Sequence, residues 1–110
     1  MYTKLKNNLI VFRPYGKMDI NFSTEFEKIL QQAIKENPRC HVLIDLKGVE
    51  YLSSSGLRAF INAREILNEQ GYELKVFNVT EACKRIFSIT KFEDLVGIYA
   101  NEKEAIDSFR

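Results

Sequence analysis

The sequence predicts an α/β fold in which helices cover a mostly parallel β-sheet. Short apolar runs with the length of strands alternate with longer segments whose apolar residues recur at a helical spacing. The resulting order is β-β-α-β-α-β-α-β-α, and strands separated by helices of this length require parallel crossover connections. No repeat, linker or low-complexity segment interrupts this order, so residues 1–110 are expected to form a single domain.

Five short runs of apolar and β-branched residues predict the strands. In chain order they are Tyr2–Lys6, Leu9–Phe12, Cys40–Leu46, Leu74–Phe77 and Val96–Tyr99. The first is a candidate edge strand, and Pro14 lies near the end of the second, where a missing N–H donor is tolerated. The third is predicted to be the central strand because its apolar run has the length and β-branched content of a buried strand.

Four segments carry apolar residues at the spacing of one helix face. They run from about Thr24 to Lys35, from Leu57 to about Gln70, from Glu81 to Ser88, and onward from Asn101. Thr24 and Glu27 fit a capping box at the start of the first helix. Thr80 can cap the third helix, and Gly71 is placed like a C-terminal cap of the second. The residues of the third helix expected to face the core are Ala82, Ile86 and Ile89.

The composition is that of an ordinary globular protein, with 45% hydrophobic and 28% charged residues. The net charge of +1 gives no reason to expect binding to nucleic acid or to a membrane surface. No apolar run approaches the ~18 residues of a membrane span. Because there is no signal-peptide core and no C-x-x-C, a cytoplasmic protein is expected, with Cys40 and Cys83 as small buried hydrophobes.

Three serines and a glycine lie at a predicted strand-to-helix junction. They are Ser53, Ser54, Ser55 and Gly56, and the helical spacing begins at Leu57. Ser53 or Ser54 can cap the second helix, and Gly56 allows a sharp bend or the close approach of another surface. A helix N-terminus carries partial positive charge and unpaired N–H donors, which favour a phosphate placed there.

Residues 45–57, DLKGVEYLSSSGL, resemble the D-L-S-x-V-x-x-[IM]-D-S-[SA]-G-L segment of STAS domains, and the most similar subgroup is the bacterial anti-sigma-factor antagonists. Residues 16–19 resemble the G-x-[LI]-D segment of the family. Residues 78–80 and 85–92 resemble its N-[VL]-[ST]…R-[VIL]-[LF]…L-T-[GK]-[LF] segment. The resemblance therefore covers nearly the whole chain, and STAS domains share the predicted order of elements.

The resemblance implies a function in partner switching. An unphosphorylated antagonist of this kind binds an anti-sigma factor that is also a serine kinase, and the sigma factor is released. The kinase holds ATP and magnesium itself, so this chain is expected to bind no cofactor. The kinase phosphorylates the serine that precedes the glycine, which here is Ser55. A PP2C-type phosphatase reverses this step.

The residues expected to meet the partner follow from the resemblance and, for Arg58 and Asn62, from their position after Ser55. They are Asp19, Ser53, Ser54, Ser55, Gly56, Arg58 and Asn62. Asp19 matches the acidic residue of the G-x-[LI]-D segment, while Arg58 and Asn62 fall in the first turns after Ser55. The family has Asp where this chain has Ser53, a departure that removes a carboxylate next to the phosphoacceptor.

Two other functions are open at this point. The chain can be a STAS subunit of another assembly, such as a stressosome component or a lipid-transport accessory protein, or a small hydrolase that uses Ser55. The hydrolase is disfavoured because the lone His41 precedes the serines on a buried-type strand and G-x-S-x-G is absent. The sequence also has no metal-ligand cluster with usable spacing. A regulatory binding protein without enzymatic activity is expected.

Overall fold

The computed structural model describes residues 2–109, which contain seven strands, four α-helices and one 3₁₀ turn. The strands are β1 (Tyr2–Leu5), β2 (Leu9–Phe12), β3 (Tyr15–Met18), β4 (His41–Asp45), β5 (Gly48–Leu52), β6 (Leu74–Phe77) and β7 (Gly97–Tyr99). The helices are α1 (Ile20–Glu36), α2 (Ser54–Glu69), α3 (Glu81–Thr90) and α4 (Glu102–Asp107), and the 3₁₀ turn is Phe92–Asp94.

Five strands form the main sheet, in the order β1-β2-β4-β6-β7. The edge strand β1 is antiparallel to β2, and every other neighbouring pair is parallel. Each crossover through α1, α2 or α3 therefore advances one position across the sheet in the same direction. The predicted α/β class, with a mostly parallel sheet and β4 at its centre, is confirmed.

Side chains alternate along the strands and fill one core on each face of the sheet. From β4, Val42 and Ile44 join the larger core with residues of α1, α2 and α3, whereas Leu43 joins the smaller core under α4. Three aromatic rings from helices α1 and α2 lie near one another in the larger core. The ring of Phe26 meets the ring of Phe60 edge-on, with 6.1 Å between their centroids. Burial on both faces explains why Val42, Leu43 and Ile44 of β4 form a continuous apolar run.

Two short strands were not predicted from the sequence. Residues Tyr15–Met18 and Gly48–Leu52 pair in parallel as a separate two-stranded sheet. Each carries a glycine, and the pairing register shifts between Gly16 and Lys17. Short strands with glycine and a broken register lack the alternation by which a strand is recognised in sequence.

The predicted capping box at Thr24 and Glu27 is wrong, because α1 begins four residues earlier. Asp19 caps the helix, since its Oδ1 accepts a hydrogen bond from the backbone N–H of Phe22 at 2.9 Å. Thr24 lies inside the helix, where its hydroxyl donates to the Ile20 carbonyl at 2.9 Å. A carboxylate at the true N-cap thus satisfies a free N–H donor of the first turn, the kind of role that was expected of Thr24.

The other predicted helix caps agree with the structure, but α2 begins at Ser54, three residues before Leu57, and α3 continues to Thr90, two residues beyond Ser88. Thr80 caps α3 by accepting from Cys83 N, and Asn101 caps α4 by accepting from Glu104 N. Gly71 lies just beyond the C-cap residue of α2. Its φ of +87° is in the left-handed region that favours glycine.

The buried face of α3 is shifted by one residue from the predicted face. Cys83 and Phe87 are buried, while Ala82 and Ile89 are exposed and Ile86 is only partly buried. Phe87 packs on Phe92 with 4.5 Å between ring centroids, which turns this side of the helix inward. Both cysteines are buried and free, and burial raises the pKa of the Cys83 thiol. Within residues 2–109, no helix combines the length and apolarity that crossing a membrane requires.

His41 is the first residue of β4, and its side chain takes part in packing and in a hydrogen bond. Its Nδ1 accepts a hydrogen bond from the Glu73 backbone N–H at 3.0 Å, and its ring stacks on Phe109 at 4.4 Å. Burial lowers the pKa of His41, an effect that the Glu73 carboxylate opposes and the Lys75 ammonium reinforces. Protonation at Nδ1 would also remove the acceptor that Glu73 uses.

The exposed Ile89 provides a control for the central strand. Ile44 is fully buried whereas Ile89 is 77% exposed. We expect Ile44→Ala to lower the free energy of unfolding by roughly 2–5 kcal/mol through the cavity it leaves. Ile89→Ala should change it by less than about 0.5 kcal/mol. Urea denaturation of both variants measures the difference, and equal losses would contradict the burial of Ile44.

The lowered pKa of His41 predicts a pH-dependent stability. The unfolded state binds the proton more readily, so the stabilisation is complete above the unfolded pKa of about 6.5 and is lost as pH falls toward the folded pKa. In His41→Asn, whose amide oxygen can still accept from Glu73, this loss should be absent. Denaturation at about pH 7.5 and about pH 5.5 should show a larger loss in the wild type. Parallel losses in the two proteins would refute this assignment.

Candidate functional site

The backbone carbonyl of Met18 joins the elements that meet at the start of α2. Ser53 donates to this oxygen from its backbone N–H at 3.0 Å and from its hydroxyl at 2.6 Å. The hydroxyl of Ser23, on α1, donates to the same oxygen at 3.2 Å. Ser53 Oγ also accepts from the Gly56 N–H at 3.1 Å, so Ser53 is the N-cap of α2. Strand β3 and helices α1 and α2 are thus fixed to one another at a single point.

Gly56 is required by the close approach of these elements. A Cβ at this position would lie 2.6 Å from Leu52 Cδ1 and 3.1 Å from Ser23 Oγ. Both neighbours are buried, so neither has room to move away. The glycine therefore lets the first turn of α2 pack directly on the end of β5 and on α1.

The other two serines face outward from this buried junction. Ser54 is exposed and Ser55 is partly exposed, and neither hydroxyl forms a hydrogen bond within residues 2–109. They line an open depression of about 390 Å³ at the start of α2. The remaining residues that line it are Asp19, Ile20, Asn21, Tyr51 and Ser53.

The depression combines one carboxylate with two exposed apolar side chains. Asp19 comes from the start of α1, where Oδ1 is engaged as the helix cap. Ile20 is 67% exposed and Tyr51 is 51% exposed, so both present apolar surface beside the serines. This is a shallow surface for contact with another macromolecule rather than an enclosed pocket for a small substrate.

Arg58 and Asn62 lie on the same face of α2 as Ser55 but differ in their engagement. Asn62 Nδ2 donates to Glu27 Oε2 at 3.0 Å and so links α2 to α1. Arg58 is exposed and has neither an ion pair nor a hydrogen bond with any residue from 2 to 109. Of the predicted site residues, Asp19, Ser53, Ser54 and Ser55 form a cluster at the depression, whereas Gly56, Arg58 and Asn62 do not line it, and Arg58 is a free cation on the adjoining turn.

Sequence reasoning missed the residues that hold this cluster together. Ser23 and Met18 are separated from Ser53 by 30 and 35 residues, so no local pattern connects them. Ile20 was missed because the predicted start of α1 placed it outside the helix. The sequence signal that would have found it is Asp19, a strong N-cap residue three positions before the apolar Phe22.

Within residues 2–109, the one histidine is not paired with these serines. His41 contacts Glu73, Tyr72 and Phe109, none of which lines the depression. In the part of the chain that the structure describes, no group of three or more His, Cys, Asp or Glu residues is placed to hold a metal ion. The Ser-His pairing that a small hydrolase needs is therefore not formed here.

Comparisons with known sequences relate this chain to one family of domains. The sequence model of the STAS domain matches residues 2–105. A relative in Paenibacillus polymyxa named anti-sigma F factor antagonist is 24% identical over 98 residues, which are 89% of this chain and 84% of that protein. The anti-sigma-B factor antagonist of Staphylococcus aureus strain NCTC 8325 is 29% identical over 83 residues, 76% of each chain.

Solved structures share the fold. The anti-sigma factor antagonist SpoIIAA in its unphosphorylated form aligns with a TM-score of 0.86 at 17% identity, covering 100% of this chain and 95% of that one. The phosphorylated form of the Bacillus SpoIIAA aligns with a TM-score of 0.78 at 17% identity, covering 100% and 98%. At this level of identity the likeness concerns the fold alone.

Ser53 and Ser54 form a matched pair for testing the junction. Ser53→Ala removes the helix cap and the short hydrogen bond to Met18, and should lower the free energy of unfolding by roughly 1–3 kcal/mol. Ser54→Ala removes an exposed hydroxyl without a partner and should cost less than about 0.5 kcal/mol. Chemical denaturation compares them, and an equally stable Ser53→Ala protein would contradict the capping role.

Proposed function

The chain belongs to the STAS domain family, and from this we propose that it is an anti-sigma-factor antagonist that acts by partner switching in the cytoplasm. In its unphosphorylated form it binds an anti-sigma factor that is also a serine kinase, and the sigma factor is released. The names of two relatives support this role. The observation that carries the proposal is the placement of Ser55 in the first turn of α2, partly exposed and directly before a glycine that packs closely against Leu52 and Ser23.

The three serines have different roles in this proposal. Ser53 is 8% exposed and its hydroxyl is used as a cap and as a donor, so it is the structural member. Ser55 is the proposed phosphoacceptor, because it directly precedes the glycine as the phosphorylated serine of the family does, and its hydroxyl forms no hydrogen bond within residues 2–109. Ser54 is more exposed than Ser55 and serves as the internal comparison for every test at this site.

The modification is a phosphoryl transfer. Ser55 Oγ bonds to the γ-phosphorus of the ATP that the kinase holds, the bond from that phosphorus to ADP breaks, and the hydroxyl proton passes to a base of the kinase. A PP2C-type phosphatase restores the hydroxyl by hydrolysis. At a helix N-terminus a negative charge is stabilised by about 0.3–1 kcal/mol, so the modified domain keeps its fold. The SpoIIAA structures, which share the fold of this chain in both forms, support this expectation.

The same phosphate opposes partner binding. It adds roughly −1.5 to −2 charge at neutral pH to a surface that otherwise presents neutral hydroxyls beside Ile20 and Tyr51. A dianion at an interface formed around a hydroxyl must lose its hydration without gaining a partner. Asp19 and Ser54 line the depression with Ser55, and Arg58 and Asn62 follow on the same face of α2, so a kinase that covers the serine would contact this surface.

Ser55→Ala and Ser54→Ala test the proposal with a candidate anti-sigma factor kinase from the same host. Ser55→Ala should still bind the kinase but should resist modification, whereas Ser54→Ala should be modified like the wild type. Mass spectrometry locates the phosphate, and calorimetry measures the affinity of the kinase for each protein before and after phosphorylation. We expect phosphorylation to weaken binding by at least roughly tenfold, equivalent to 1.4 kcal/mol.

Two results would overturn this proposal. Phosphate on Ser55→Ala and not on Ser54→Ala would assign the acceptor role to Ser54. Equal affinity for phosphorylated and unphosphorylated protein would remove the switch, even with Ser55 as the acceptor.

A further inference from the structure

Arg58 is placed to reach a phosphate on Ser55. Residues three apart on a helix have Cβ atoms about 5–6 Å from each other, and helical side chains lean toward the N-terminus of their helix. Arg58 follows Ser55 by three positions, so its side chain leans toward the first turn of α2. It is exposed, and no group within residues 2–109 holds its guanidinium.

The charges around the depression leave Arg58 as its nearest cation on α2. The first turn of α2 contains no acidic residue, and its cap, Ser53, is neutral. The titratable groups that line the depression are the Asp19 carboxyl from α1 and the Tyr51 phenol from β5. Asp19 Oδ1 already accepts from the Phe22 N–H, so this side chain is engaged as the cap of α1.

We propose that Arg58 is the intramolecular partner of the phosphate on Ser55, an inference that rests on the proposed phosphorylation. In the unmodified protein the guanidinium is free and belongs to the surface that the kinase contacts. After modification the guanidinium binds the phosphate oxygens of its own helix. Phosphorylation then removes two features from the binding surface at once: the neutral hydroxyl and the free cation.

The chemistry of the guanidinium favours this arrangement. Its planar fork of N–H donors matches two phosphate oxygens and is less strongly hydrated than an ammonium group. Asn62, the next residue on this face, cannot substitute for it because its amide donates to Glu27 at 3.0 Å. Arg58 therefore differs from its neighbours in being both cationic and uncommitted.

The second pKa of the phosphate reports this contact without any partner protein. Phosphoserine can be placed at position 55 during translation or by semisynthesis, and ³¹P NMR then follows its titration. We expect the second pKa to be higher in Arg58→Gln than in the wild type by roughly 0.2–0.7 unit, the range of an exposed ion pair. Arg58→Lys should restore part of the difference.

Lys35→Gln is the matched control. It makes the same change of charge near the C-terminal end of α1, roughly 22 Å along the helix from Ile20. Its phosphate should titrate as in the wild type. An unchanged pKa in Arg58→Gln, or an equal rise in Lys35→Gln, would overturn the proposal.

The titration separates this inference from the function on which it rests. It requires neither the kinase nor an anti-sigma factor, so a failed binding switch leaves the Arg58 result intact. Conversely, phosphorylation can still block the partner when Arg58 has no effect on the phosphate. Because Arg58 is exposed and has no contact to lose in the described chain, the substituted protein is expected to fold.

Discussion

The Met18 carbonyl is the point on which the rest of the site depends. Its oxygen receives two hydrogen bonds from Ser53 and one from Ser23, and all of these groups are buried. In a buried location each of these donors would be costly to leave unpaired, so the contact fixes the relative positions of β3, α1 and α2. Gly56 completes the junction, since any side chain there would separate the same elements.

A rigid junction under an exposed surface suits a protein that is modified rather than one that catalyses. The buried hydroxyl of Ser53 is used for structure, while the hydroxyls of Ser54 and Ser55 are left free directly above it. The acceptor is therefore held by a helix that does not need to move. A phosphate at this position changes the charge of a fixed surface, which is the simplest way to alter the affinity for a partner.

How much could be predicted from the sequence depended on the range of the interactions. The central strand, three helix caps and the serine junction follow local rules of spacing and capping, and the structure agrees with them. The start of α1 was wrong because two capping patterns overlap and only packing decides between them. The pairing of β3 with β5 and the bond from Ser53 to Met18 join residues about 30 or more positions apart, and no local pattern encodes such contacts.

The hydrogen bond from the Ser53 hydroxyl to the Met18 carbonyl also explains why a serine suits position 53. An aspartate, which the STAS pattern has at this position, can cap a helix but has no hydroxyl proton to donate to the Met18 carbonyl. At the 2.6 Å that separates Ser53 Oγ from that oxygen, a carboxylate would face a second acceptor. Ser53 avoids this repulsion and leaves the start of α2 without negative charge. With Ser55 phosphorylated as proposed, the phosphate would lie next to a neutral cap at the N–H end of α2, without a competing carboxylate on its own helix.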